Sequence, residues 1–193
     1  MKKANKIDKP YIIDILCESF EKNKSVNYVI KQDRKRKQRL LHLMNYSYDL
    51  CSMFGEIYLS EDRKACALIL FPDKKKTTLK TVLLDVRLIL SSIGLTRVFK
   101  VLKRDSKIKS FYPKESVYYL WFIGVKPEDQ LKGIGGKLLS ELINESNFMK
   151  RPIYLETSMI ENLSFYKKHG FKIYQQLDFG HALFSMKREN YQN

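Results

Sequence analysis

The chain has 193 residues, 44% of them hydrophobic and 30% charged, and a formal net charge of +15. That is enough for one domain with a sizeable core, and the apolar content excludes a disordered chain. The charge suits a polyanionic partner (a phosphate-rich cofactor, nucleic acid or a membrane surface) and equally suits a basic protein kept soluble by its charge.

Cys17, Cys51 and Cys66 share no short spacing and form no Cys/His cluster, so no metal site is expected. An odd, scattered set of thiols reads as reduced, which suggests a cytoplasmic protein. The start is basic, but Asp14 interrupts the apolar run, which argues against a signal peptide. Leu79 to Leu102 is the most apolar long segment. It carries Lys80, Asp85, Arg87, Arg97 and Lys100, so no membrane span is expected.

In chain order, Tyr11 to Glu21 places Ile12, Ile15, Leu16 and Phe20 at helical spacing. Lys31 to Arg39, KQDRKRKQR, has no interleaved aromatics. It reads as the solvated start of a second helix, Lys35 to Met53, rather than a nucleic-acid contact. Glu56 to Leu59 and Lys64 to Phe71 read as a hairpin around the polar turn SEDR. Thr77 to Ile93 and Thr96 to Lys107 read as two helices broken at Gly94. On the first, Val82, Val86, Ile89 and Ile93 share one face, which is expected to pack into the core. Ser116 to Val125, SVYYLWFIGV, is a β-rich run without clean alternation and reads as a buried central strand. A helix over Gly135 to Asn144 follows, then the strand IYLETS after Pro152. A short helix from Glu161 to His169 stops at Gly170, and strands at Lys172 to Gln176 and Ala182 to Lys187 end the series. The expected fold is a mixed α/β (α+β) sheet flanked by helices, in a single domain over 1–193, with a helical pair inserted at about 77–112.

Three of the eight glycines fall within QLKGIGGKLL, residues 130–139, between a strand and a helix. A helix N-terminus presents unpaired N–H groups and partial positive charge, so this junction suits an anion. Glycines let phosphate oxygens approach the backbone, and Lys132 and Lys137 add charge. The spacing fits neither a Walker A loop, since no Ser or Thr follows Lys137, nor a G-x-G-x-x-G fingerprint, since position 138 is Leu. A tight strand–helix packing turn is the alternative.

The segments VKPEDQLKGIGGKLL and IYLETSMIENLSFYKKHGF resemble the GNAT N-acetyltransferase superfamily. Gln130, Gly133 and Gly135 match its Gln/Arg-x-x-Gly-x-Gly/Ala loop. Asn162, Tyr166, Gly170 and Phe171 match its later pattern in order. The YLETS, NLSFY and GF blocks and the inserted helical pair look most like the puromycin N-acetyltransferase branch. The resemblance implies a mostly antiparallel central sheet and acetyl-coenzyme A as cofactor. Its pyrophosphate would rest on the loop Gln130, Leu131, Lys132, Gly133, Ile134, Gly135, Gly136 and Lys137. Its pantetheine arm would run along Ile123, Gly124 and Val125, where that strand splays from the next, with Asn162 reaching the arm or ordering its helix. Tyr166 is implied as the acid that protonates the leaving sulfur.

The base stays open. The central strand carries no acid, and Tyr118 and Tyr119 stand where some relatives have a glutamate. Glu156 is one alternative, though it could equally hold a substrate ammonium or a lysine, and ordered water is another. His169 and His181 read as packing or surface residues. The expected function is acetyl transfer to a primary amine of a small molecule. The alternatives are an acetyl-coenzyme A sensor and a protein N-acetyltransferase. No nucleic-acid or membrane partner is expected, and exposed strand ends of the kind that pair between subunits in this family are compatible with a homodimer.

Overall fold

The computed structural model describes residues 1–113 and 115–190. A seven-stranded sheet runs in the order β1-β2-β3-β4-β5-β7-β6. Its strands are β1 (Lys2–Lys3), β2 (Gly55–Leu59), β3 (Ala65–Leu70), β4 (Tyr118–Val125), β5 (Ile153–Thr157), β6 (Lys172–Asp178) and β7 (Ala182–Arg188). Neighbouring strands are antiparallel except β4 and β5. The helices are α1 (Lys9–Phe20), α2 (Lys24–Val29), α3 (Arg36–Phe54), α4 (Leu79–Leu88), α5 (Val98–Lys109), α6 (Ile134–Phe148) and α7 (Glu161–Lys168).

The pleat divides the core. Tyr119, Phe122 and Tyr154 point to one face and pack with Ile12, Leu16, Leu40 and Met44 of α1 and α3. Tyr118, Leu120 and Leu155 point to the other and pack with Leu138, Leu139 and Leu142 of α6 and with Tyr166 of α7. Each such leucine taken out of water contributes about 1.5–3 kcal/mol. Leu177 and Leu183 of the β6–β7 hairpin meet Ile108 of α5 in a smaller cluster, which docks one end of the helical pair.

The hairpin, the central strand and the strand after Pro152 form as the sequence predicts. The apolar face of α4 does not. Val82 and Val86 are 44% and 47% exposed, while Ile93, in a π-helical turn after α4, is 5% exposed. The periodicity made α4 a helix, but no further element lies over that face among the described residues. No described helix is long and apolar enough to cross a membrane.

Two features of the sheet open the centre. β3 pairs Leu68 with Phe122 and Ile69 with Leu120, so Trp121 is an extra residue, a bulge in β4. A bulge bends its strand and strengthens the local twist. On the other side, β4 and β5 pair at Tyr118↔Ile153 and Tyr119↔Tyr154, with no register beyond them along the described strands. From Leu120 to Val125 that edge of β4 is left without a strand partner.

Candidate active site

At the end of β4, the Val125 carbonyl accepts from Ser19 Oγ at 2.8 Å and from Gln130 Nε2 at 3.1 Å. Gln130 therefore ties the loop back to the strand. Gly124 packs against α1, where an added Cβ would lie 2.9 Å from Ser19 Oγ. The loop then turns through two left-handed residues, Leu131 (φ 61°) and Gly133 (φ 81°). Leu131 is fully exposed, and Asp129 beneath the loop pairs with both Lys64 and Lys132 at 2.9 and 3.0 Å.

The three glycines are not equivalent. Gly133 is the N-cap of α6, and a Cβ there would meet nothing within 4 Å, so its role is the left-handed turn beside open space. At Gly135 a Cβ would sit 3.2 Å from Val125 Cγ2, and at Gly136 3.6 Å from His169 Nε2. Gly135 lets α6 approach β4 closely, while a Cβ at Gly136 would make only an ordinary contact. The Gln130 N–H bonds back to the Pro127 carbonyl at 3.3 Å and the Lys137 N–H to the Gly133 carbonyl at 3.0 Å, so the N–H groups of Ile134, Gly135 and Gly136 lie at the free end of the helix. That end meets the unpaired edge of β4. Close packing and free N–H groups thus coexist here, which the sequence posed as alternatives.

Tyr166 approaches from the α6–α7 face. It is 6% exposed, lies 5.2 Å from the Phe165 ring and 5.7 Å from the Phe171 ring, and burial pushes its phenol well above the usual range. Its hydroxyl makes no hydrogen bond among the described residues. Asn162, in the first turn of α7, is exposed and its side chain bonds to nothing described, so it does not order its helix.

Glu156 lies on the opposite face, two residues beyond Tyr154 on β5. The Tyr119 hydroxyl donates to its Oε2, while Oε1 is buried without a partner. Desolvation raises its carboxyl to about 7, against the opposing pull of the Tyr119 hydroxyl, Arg104 and Tyr112. The Tyr112 and Tyr119 rings stand 5.6 Å apart beside it. Tyr112 and Arg104 come from the inserted helical pair and its exit and carry no motif. Glu156 and Tyr119 were the residues of this side that the sequence singled out, while Tyr118 packs on the other face. His169 is held by the Phe165 carbonyl at 2.8 Å through Nδ1, a packing role.

The start of α6 thus meets the unpaired edge of β4, with Glu156 and Tyr166 on opposite faces of the sheet. Residues 94–173, which span α5, β4, the glycine loop, α6, β5 and α7, match the family described as Acetyltransferase (GNAT) domain. This match covers 94–173 alone, and together with the fold it supports an enzyme of the N-acetyltransferase class. The whole fold is shared with a Corynebacterium glutamicum structure described as histone acetyltransferase HPA2 and related acetyltransferase. The TM-score is 0.71 at 17% identity, over 100% of this chain and 96% of that one. It is also shared with the C-terminal condensation domain of Ebony in complex with beta-alanyl-dopamine (0.70, 12%, 97% of each chain). Arylalkylamine N-acetyltransferase 2 from Aedes aegypti is a third such structure (0.65, 14%, 97% of each chain). At such identities these structures speak for the fold.

Proposed function

We propose that this chain transfers an acetyl group from acetyl-coenzyme A to the primary amine of a small molecule by direct attack in a ternary complex. The carrying observation is that the open N-terminus of α6 abuts the unpaired edge of β4, with Glu156 on one face of the sheet and Tyr166 on the other. The N–H groups of Ile134, Gly135 and Gly136 suit the pyrophosphate, with Lys132 and Lys137 beside them. The edge of β4 before Val125 suits the amide-rich arm, because the Val125 carbonyl already has two donors. Asn162 is free to reach that arm. When bound, the cofactor supplies a thioester carbonyl.

Glu156 is the base in this account. A carboxyl that titrates near 7 is partly ionised at neutral pH and takes the proton that an attacking amine sheds. Tyr166 stays protonated and donates to the departing sulfur. The apolar surroundings that hold the phenol proton also make a thiolate there a strong acceptor, so one burial serves both partners. The likeness of YLETS, NLSFY and GF to the puromycin branch favours a small acceptor over a peptide.

The test is thiol release from acetyl-coenzyme A by the purified chain against a panel of primary amines. Amine-dependent release supports the reading. Binding of the cofactor with no release for any amine would leave a sensor instead.

A further inference from the structure

The inserted helices bring a second group of side chains to the Glu156 side of the gap. Arg104 of α5 donates from Nη2 to Ser25 Oγ of α2, and its guanidinium lies 5.7 Å from the Tyr28 ring centroid and 5.4 Å from that of Phe179. Lys100, one turn earlier, stands 4.5 Å over the Tyr28 ring. Burial, with Arg104 and then Lys24 nearby, holds His181 below its usual range, and Arg104 pulls the Glu156 carboxyl down against the effect of its burial.

Arg104, Lys100 and Lys24 make no ion pair among the described residues, and Arg104 Nε is buried without an acceptor. The nearby acids are engaged elsewhere. Asp105 pairs with Lys109 at 2.6 Å, Asp178 accepts from the Gly180 N–H at 2.8 Å, and Glu156 is held by Tyr119. His181 Nε2 and the Tyr174 hydroxyl are also buried and unpartnered. A desolvated guanidinium that pairs directly with no carboxylate is costly, and donors left open around it fit an anion that arrives with a ligand.

We propose that this cluster is an acceptor subsite for an anionic group: the amine that is acetylated carries a carboxylate or a phosphate, received by Arg104 with Lys100 and Lys24 while its amino group faces Glu156. The proposal rests on the transfer reading above and narrows its acceptor. A planar guanidinium offers paired donors that suit either oxyanion.

The experiment measures kcat/KM for matched amines that differ only in the anion. The pairs are amino acids against their carboxamides, and phosphoethanolamine against ethanolamine. The wild type should favour the anionic member of at least one pair by roughly ten- to hundredfold, mostly through KM, and the pair that does so tells carboxylate from phosphate. Arg104→Gln should collapse that ratio toward one, Arg104→Lys should restore part of it, and a deaminated acid or simple phosphate ester should compete with the acceptor. The wild-type ratios need no variant, so a misfolded Arg104→Gln does not spare the proposal. Equal turnover of both members of every pair would overturn the subsite and leave acetyl transfer standing. Absence of amine-dependent release from the whole panel would overturn the transfer reading and the subsite together.

Discussion

Replacing Glu156 by Gln removes the ionisable group while keeping its size and an oxygen to accept from Tyr119. Burial moves this carboxyl from 4.5 to about 7. Between those values the native state binds more protons than the unfolded one, so this group's contribution makes stability fall as pH rises through the window and level off above it. At 1.36 kcal/mol per unit, the cost of the buried charge grows by about 2–3 kcal/mol between pH 5 and pH 8. The variant does not bear that cost. Its stability relative to wild type should therefore improve by that amount between the two pH values, read from urea unfolding at each. Turnover should move the other way. Wild-type kcat/KM should rise with pH to a plateau above about 7, and Glu156→Gln should lose that limb and roughly 10²–10⁴ in rate. A variant that keeps its activity, with a stability difference equal at pH 5 and pH 8, would refute the reasoning.

Tyr166→Phe removes a hydroxyl that has no hydrogen-bond partner among the described residues, so it should not lower stability. It should leave acetyl-coenzyme A affinity nearly unchanged and cut turnover by roughly ten- to ten-thousandfold, as separate titration and rate measurements will show. Gly133→Ala forces a Cβ into a left-handed position at the mouth of the cradle, at a cost of about 1–2 kcal/mol in thermal unfolding. It should also weaken cofactor binding in a calorimetric titration. Gly55→Ala tests the sheet alone. Its Cβ would lie 1.8 Å from the Ile69 carbonyl oxygen, so the hairpin must move, with a loss of more than about 3 kcal/mol in the same unfolding assay.

The parts legible in the sequence were those with a local cause. Apolar runs marked β3, β4 and β5, and the glycine cluster marked the end of β4 and the start of α6. The short helix that carries Tyr166 was marked by its stop at Gly170, while the role of Tyr166 was implied by the resemblance alone. What escaped depended on distant partners. α2 has six residues, with Val26 alone buried, and is fixed by an Asn23 cap rather than by periodicity. The exposure of Val82 and Val86 reflects what does not cover α4, which amphipathic spacing cannot report. Glu156 could be named but not given a role, because its proton affinity is set by Tyr119, Tyr112 and Arg104 on other elements. The basic run from Lys31 to Arg39 did prove to be a helix start, with Arg39 paired to Asp33 at 2.7 Å.

The most direct test of the account is a calorimetric titration of acetyl-coenzyme A into the purified chain, with free adenosine as the control. The account predicts saturable binding that adenosine does not reproduce, because the N–H groups at the start of α6 need the phosphates. Equal binding of adenosine, or no binding of acetyl-coenzyme A at all, would contradict it and leave the glycines of QLKGIGGKLL as packing residues alone.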